Sequence, residues 1–239
     1  MFKKLVLTAA LLAATGANAD TITQWNFNSV TPDSATGTGS IIASIGAGSL
    51  SALAGVTTAF SSGSANGGST DTAPTADDSG FQTTGYAAQG AGNKTRGVQF
   101  NVSTLGFEDI LVSYDLRHSN TSSRYEQFQY SLDGTNFVDF ALFDGNAGDT
   151  WFNNRTIDLS SIAGADNNAS FAFRVVAAFA PNTSAYAASS STYAGTGTWR
   201  FDMVTASGAA VAAVPEPETY ALLVAGLGFV GFSARRKAV

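Results

Sequence analysis

Apolar and polar residues alternate along most of this chain with a period of two. Val98, Phe100 and Val102 are interleaved with Gln99 and Asn101. Ile110, Val112, Tyr114 and Leu116 are interleaved with Ser113, Asp115 and Arg117. Phe128, Tyr130 and Leu132 repeat the pattern, as do Phe171, Phe173 and Val175, and Trp199, Phe201 and Met203. That period belongs to strands with one face buried and one face wet. No stretch of 20–208 sustains a 3.6-residue period, which excludes a helical bundle. Two antiparallel sheets packed face to face hide every apolar strand face at once. The expected fold is all-β, an antiparallel jelly-roll-like β-sandwich of roughly 9 to 11 strands over 20–208.

Turn residues punctuate the runs: Asp133-Gly134, Asp144-Gly145 and Gly164-Ala165-Asp166. The stretch "QFQYSLDGTNFVDFALF" reads as a hairpin turning at Asp-Gly. Its centre is similar to hairpins of extracellular jelly-roll and carbohydrate-binding-like modules. Two stretches lack alternation. Residues 31–91, rich in Gly, Ser, Ala and Thr, read as a long surface loop with weaker strands near 40–44 and 56–60. Residues 181–197 read as a second loop, and 209–213 as a flexible linker.

Charge narrows the partners. Residues 20–213 carry 16 acidic and 7 basic side chains, a net charge of −9. Such a surface repels phosphate backbones, so nucleic acid is not an expected partner. With no Cys there is no disulfide, thiolate ligand or thiol nucleophile.

The two ends read as addresses. Lys3 and Lys4, an apolar run over 5–14 and the small-x-small triplet Ala17-Asn18-Ala19 form a signal peptide over 1–19, leaving Asp20 as the mature start. The implied partners are the Sec translocon and signal peptidase. At the other end, residues 220–234 carry no charge. As a helix they would span only ~22 Å, short for a ~30 Å bilayer core. Arg235, Arg236 and Lys237 follow directly and would stay on the cytoplasmic side. Upstream, Pro215-Glu216-Pro217 forms a stiff extended segment, because each proline fixes its own φ and disfavours helix before it.

Val214-Pro215-Glu216-Pro217, the apolar stretch and Arg235-Arg236, together spanning 214–239, resemble the PEP-CTERM sorting signal of Gram-negative bacteria. The resemblance implies handling by exosortase, a membrane cysteine protease, and transient or retained anchoring in the membrane. It also implies an exopolysaccharide or biofilm-matrix setting. The alternative is a proline-rich linker before an ordinary anchor.

Chemistry is less marked. His118 is the only histidine, and as a base it would need a carboxylate or nucleophile beside it. Glu108, Glu126, Asp115, Asp139 and Asp202 are acids by residue type alone, with no spacing that pairs them. Asp133, Asp144 and Asp149 lie in turns where oxygen ligands could hold Ca²⁺, although "DGNAGD" lacks the spacing and terminal Glu of an EF-hand. Trp151, Phe152, Tyr186 and Tyr193 adjoin loops and are candidates for stacking on sugar rings, or else core aromatics. No catalytic residue set and no required cofactor is visible. The leading expectation is an exported, non-enzymatic structural or adhesive protein, the alternative a polysaccharide-binding module, and the third reading a secreted hydrolase.

Overall fold

The structure, a computed structural model, describes residues 19–211. Ala17, the apolar segment 220–234 and the residues Val214, Pro215, Glu216, Pro217, Arg235 and Arg236 lie outside the described residues. No helix among the described residues is long and apolar enough to cross a membrane.

Twelve strands are described: β1 (Asp20–Trp25), β2 (Ile45–Gly46), β3 (Gly48–Ala52), β4 (Thr57–Ser62), β5 (Ser79–Thr84), β6 (Gly97–Val102), β7 (Phe107–His118), β8 (Tyr125–Ser131), β9 (Val138–Asp144), β10 (Thr150–Asp158), β11 (Ala172–Ala178) and β12 (Trp199–Ala210). One sheet has seven strands, in the order β10-β7-β12-β1-β2, with β5 also beside β12 and β4 beside β5. The other has five, in the order β3-β6-β11-β8-β9. All pairings are antiparallel. The chain crosses between sheets at β2–β3, β3–β4, β5–β6, β6–β7, β7–β8, β9–β10, β10–β11 and β11–β12, while β8–β9 is a hairpin within one sheet. That alternation is the jelly-roll path.

The inward faces are the alternating residues read from the sequence, except that Leu132 lies beyond β8 and is exposed and the bulge at Met203 passes the inward face of β12 to Val204 and Ala206. Phe100 on β6 lies 5.3 Å from Trp25 on β1 and 6.2 Å from Phe201 on β12, so it bridges the two sheets. Tyr114 and Leu116 on β7, Phe128 on β8 and Phe173 on β11 are fully buried beside it. Long β12 shares one of its edges between two partners: Trp199–Phe201 pair with β5, and Val204–Gly208 with β1.

Four expectations change. Residues 31–91 hold four strands, β2, β3, β4 and β5; β4 is the strand expected near 56–60, whereas residues 40–44 run beside β1 without forming one. Strands made of Ser, Thr and Gly show no apolar alternation, and their pairing with β6 and β12 forms them instead. The β8–β9 hairpin closes with Tyr130 opposite Val138, so its turn is longer than Asp-Gly alone. Asp133 Oδ1 organises that turn by accepting from the amides of Thr135 and Asn136 at 2.8 and 2.7 Å. Finally, β12 runs through Ala210, so the first two residues of the expected 209–213 linker are strand, opposite Glu108 and Phe107.

Candidate functional site

The outward face of the seven-stranded sheet is covered around Asp115 on β7, Asp202 on β12 and Trp151 on β10. Residues 63–78, between β4 and β5, lie across it. Trp151 Nε1 donates to Ala65 O at 2.8 Å, and Asn153 Nδ2 donates to Gly68 O at 3.0 Å. Thr70 N and Oγ1 both donate to Asp115 Oδ2, at 2.6 and 2.7 Å. Ser69 Oγ donates to Asp202 Oδ2 at 2.8 Å. Buried carboxylates on the sheet thus satisfy the donors of a polar loop, as buried polar groups require.

Asp115 and Asp202 are register partners across β7 and β12. Both strands flanking β7 bulge at this level. β12 shifts register between Asp202 and Thr205, with Met203 at φ 47, and β10 shifts between Phe152 and Arg155, with Asn154 at φ 56. The bulges re-aim backbone donors. Asn154 N donates to Asp115 Oδ1 at 2.7 Å, and Met203 N donates to Asp202 Oδ1 at 2.8 Å.

Asp71 from the covering loop and Asp78, just before β5, complete an acidic chamber. One carboxylate oxygen from each of Asp71, Asp78 and Asp202 lies within 4.8 Å of the others. Asp71 is already engaged by Ala73 N at 3.0 Å and Asn28 Nδ2 at 2.7 Å. Asp78 Oδ1 is buried and has no hydrogen-bond partner. Gly63 makes the close approach possible, since a Cβ there would lie 2.0 Å from Asp78 Oδ1 and 2.6 Å from Asp202 Oδ2. The nearby cations are partly committed elsewhere, although Nε of both Arg200 and Arg117 is buried without a partner and the Arg200 charge draws Asp78 downward. Arg200 donates to Ser62 O and Gln82 Oε1, and Arg117 pairs with Asp149. Among the described residues no salt bridge engages Asp71, Asp78, Asp115 or Asp202.

Burial, with the Asp71 charge adding, pushes the Asp78 carboxyl up to about 6. Burial also holds Asp202 well above the usual carboxylate range. These groups keep protons in the folded chain that the unfolded chain gives up near 3.8. The stability that Asp78 contributes is present below that value and lost as pH rises through about 6, and Asp202 acts in the same direction. Carboxyls shifted downward, such as Asp133 and Asp144, act below the ordinary range and leave this window alone. In EDTA the melting temperature should therefore fall between pH 4.5 and 7, and Asp78→Asn should flatten the slope. A rising melting temperature over that interval would refute the assignment.

The other sequence candidates are placed as follows. His118 meets not Asp115 but Glu126, across the interior. His118 Nε2 lies 3.5 Å from Glu126 Oε2, both side chains are fully buried, and Arg155 Nε donates to Glu126 Oε1 at 2.8 Å. Glu108 is exposed, and Asp139 pairs with Lys94. Asp144 is gripped by Arg124 and Asp149 by Arg117 and Asn120, while Asp133 caps its own turn; the three do not gather around a cation. Trp151 and Phe152 belong to β10. Tyr186 and Tyr193 stack on each other at 4.6 Å and donate to Gly92 O and Ala87 O, so they fold down onto the sandwich and offer no exposed sugar platform.

The outward face of the five-stranded sheet carries a row that sequence reasoning missed. Ser51, Gln99, Arg174, Gln129 and Asp139 are successive register partners across all five strands. Arg174 Nε donates to Gln99 Oε1 at 2.9 Å, and Gln129 Nε2 to Asp139 Oδ1 at 2.8 Å. The Arg174 guanidinium lies 3.5 Å from the centre of the Phe137 ring. Each residue was visible as the polar half of an alternation; their alignment depends on register, which alternation alone does not give. Asp71 and Asp78 were hidden in "SSGSANGGSTDTAPTADDSG", where Asp reads as turn chemistry.

The family model for the PEP-CTERM protein-sorting motif matches residues 213–237. No curated protein matches the chain. Among solved structures, the CBM22-1 xylan-binding domain from Paenibacillus barcinonensis Xyn10C is similar over 83% of this chain and 100% of its own, at 13% identity and a TM-score of 0.46. The CBM22-1–GH10 modules of Clostridium thermocellum endo-1,4-beta-D-xylanase 10B, complexed with xylohexaose, match over 69% of this chain but 27% of theirs, at 13% identity and a TM-score of 0.44. The K1 cleaved adhesin domain of Lys-gingipain from Porphyromonas gingivalis matches over 67% and 98%, at 14% identity and a TM-score of 0.37. The sandwich assignment rests on the strand pairing above.

Proposed function

We propose that this chain is a structural or adhesive β-sandwich displayed at the cell envelope or in the extracellular matrix. It carries a PEP-CTERM sorting motif and is thereby an exported protein. The supporting observation is where that motif begins. β12 ends at Ala210, Val211 N donates to Gly106 O at 2.8 Å, and the matched segment starts at residue 213. Asp20 lies opposite Gly208, so both ends of the described body leave from the same side of the sandwich. The body hangs from one end, leaving its opposite end outward. In this reading, signal peptidase cuts after Ala19 behind the Sec translocon, and exosortase acts at Pro215-Glu216-Pro217 while residues 220–234 hold the chain in the membrane.

A second reading is a polysaccharide-binding module. The row from Ser51 to Asp139 favours it, because amide, guanidinium and carboxylate groups side by side suit sugar hydroxyls.

Both readings are tested in cells and on glycans. Replacing Pro215, Glu216 and Pro217 by alanine should leave the precursor uncut, with its C-terminal mass unchanged and the protein held in the membrane fraction, as deletion of the exosortase should. Identical maturation of parent and variant removes the sorting account. On a glycan array, binding lost in Arg174→Ala selects the module, and flat binding selects the structural role.

A further inference from the structure

We propose that the chamber formed by Asp71, Asp78 and Asp202 is a Ca²⁺ site that clamps residues 63–78 onto β12. A hydrogen-bonded anchor explains Asp115, whose acceptors are filled by Thr70 and Asn154. It does not explain Asp78. That side chain is 2% exposed, and its Oδ1 is aimed at the chamber with no donor to meet it. A buried charge without a partner is costly, so either a proton or a cation lies between these oxygens.

Geometry and chemistry favour the cation. Oxygens bound to one Ca²⁺ at about 2.3–2.6 Å lie at most roughly 5 Å apart, and the three carboxylates meet that limit at 4.8 Å. The donors are all oxygen, which suits a hard cation and not zinc or copper. Ser69 Oγ, 2.8 Å from Asp202 Oδ2, adds another oxygen at the rim. Asp71, Asp78 and Asp202 have no salt-bridge partner among the described residues, and the hydrogen bonds that Arg200 and Arg117 make through Nη go to Ser62 O, Gln82 Oε1 and Asp149. Gly63 leaves room that any larger residue would fill.

The ligands come from distant parts of the sequence, so the ion acts as a staple. Asp71 lies midway along the covering loop and Asp78 at its end, and Asp202 sits at the β12 bulge eight residues before the strand ends. Asn28, which holds Asp71, brings in the segment after β1. For an exported chain this predicts an affinity in the ~0.1–1 mM range of extracellular modules. The loop would then close fully only outside the cell.

The test uses the full-length chain, stripped with EDTA at pH 7.5 and titrated with CaCl₂. Ca²⁺ should raise the melting temperature by about 5 °C or more and slow proteinase K cleavage within 63–78, and Mg²⁺ at equal concentration should do much less. Asp78→Asn and Asp202→Asn should keep or raise the EDTA melting temperature, because repulsion is relieved, yet lose the Ca²⁺ response. If Asp202→Asn fails to fold, Asp71→Asn at the half-buried rim should weaken the response at least several-fold. The proposal is overturned if the parent shows neither shift nor heat of binding. A response that survives in every variant also overturns it. So does a higher EDTA melting temperature in Asp78→Asn with no Ca²⁺ effect on the parent, which would mean a shared proton only.

Discussion

Phe100→Ala lowers the melting temperature by on the order of 10 °C, whereas Phe140→Ala leaves it nearly unchanged. Phe100 is fully buried, stacks on Phe173 at 4.9 Å within its own sheet, and reaches Trp25 and Phe201 in the other. Truncating a buried Phe removes its transfer free energy and leaves a cavity that rings held by two sheets cannot close. The expected cost is about 3–5 kcal/mol. For a domain of this size each kcal/mol shifts the midpoint by roughly 2–4 °C. Phe140, on edge strand β9, is 40% exposed, and a surface substitution of this kind stays within about 0.5 kcal/mol. The absence of disulfides sharpens the contrast, since no covalent link limits the unfolded chain. Thermal unfolding of both variants decides it. A Phe100→Ala shift no larger than that of Phe140→Ala would mean that the sheets do not pack through this ring.

Phe100 also shows what could be read without coordinates. Its alternation with Gln99 and Asn101 follows from the pleat, so strand, buried face and sandwich class were all legible. β5 was not, because "SGFQTT" has one large apolar residue, and its place beside β12 depends on a partner more than a hundred residues away. The acidic chamber was illegible for the same reason. Asp202 could be named as an acid, but its bulge, the loop above it and the approach of Asp78 are tertiary facts. Tyr186 and Tyr193 illustrate an alternative that only the structure decides. Their loop position left both display and packing open, and each hydroxyl finds a carbonyl and each ring finds the other, which makes burial cheaper than display. The polar row on the five-stranded sheet lies between these cases, with members readable and register not.

Glu126 supplies the other large effect. It projects from β8 into the interior, where Oε1 accepts from Arg155 Nε on β10 and Oε2 faces His118 Nε2 on β7. His118 Nδ1 lies 2.8 Å from Ser123 O. A carbonyl only accepts, so Nδ1 is the donor there, and Nε2 is an attractive partner for the carboxylate only when it too carries a proton. The Glu126 charge, after burial itself, also holds the Tyr114 phenol above its ordinary range. Glu126→Ala would leave the Arg155 Nε donor without its acceptor, and breaking a buried ionic group from one side costs about 3–5 kcal/mol. Glu126→Gln keeps the shape, still accepts from Arg155, and can donate to an unprotonated Nε2, so its cost should be no more than about half as large. Urea unfolding of the two variants separates a wired interior from a merely filled one. Equal losses would mean that volume alone matters at this position. A loss below about 1 kcal/mol for the alanine variant would mean that the three side chains do not hold the sheets together.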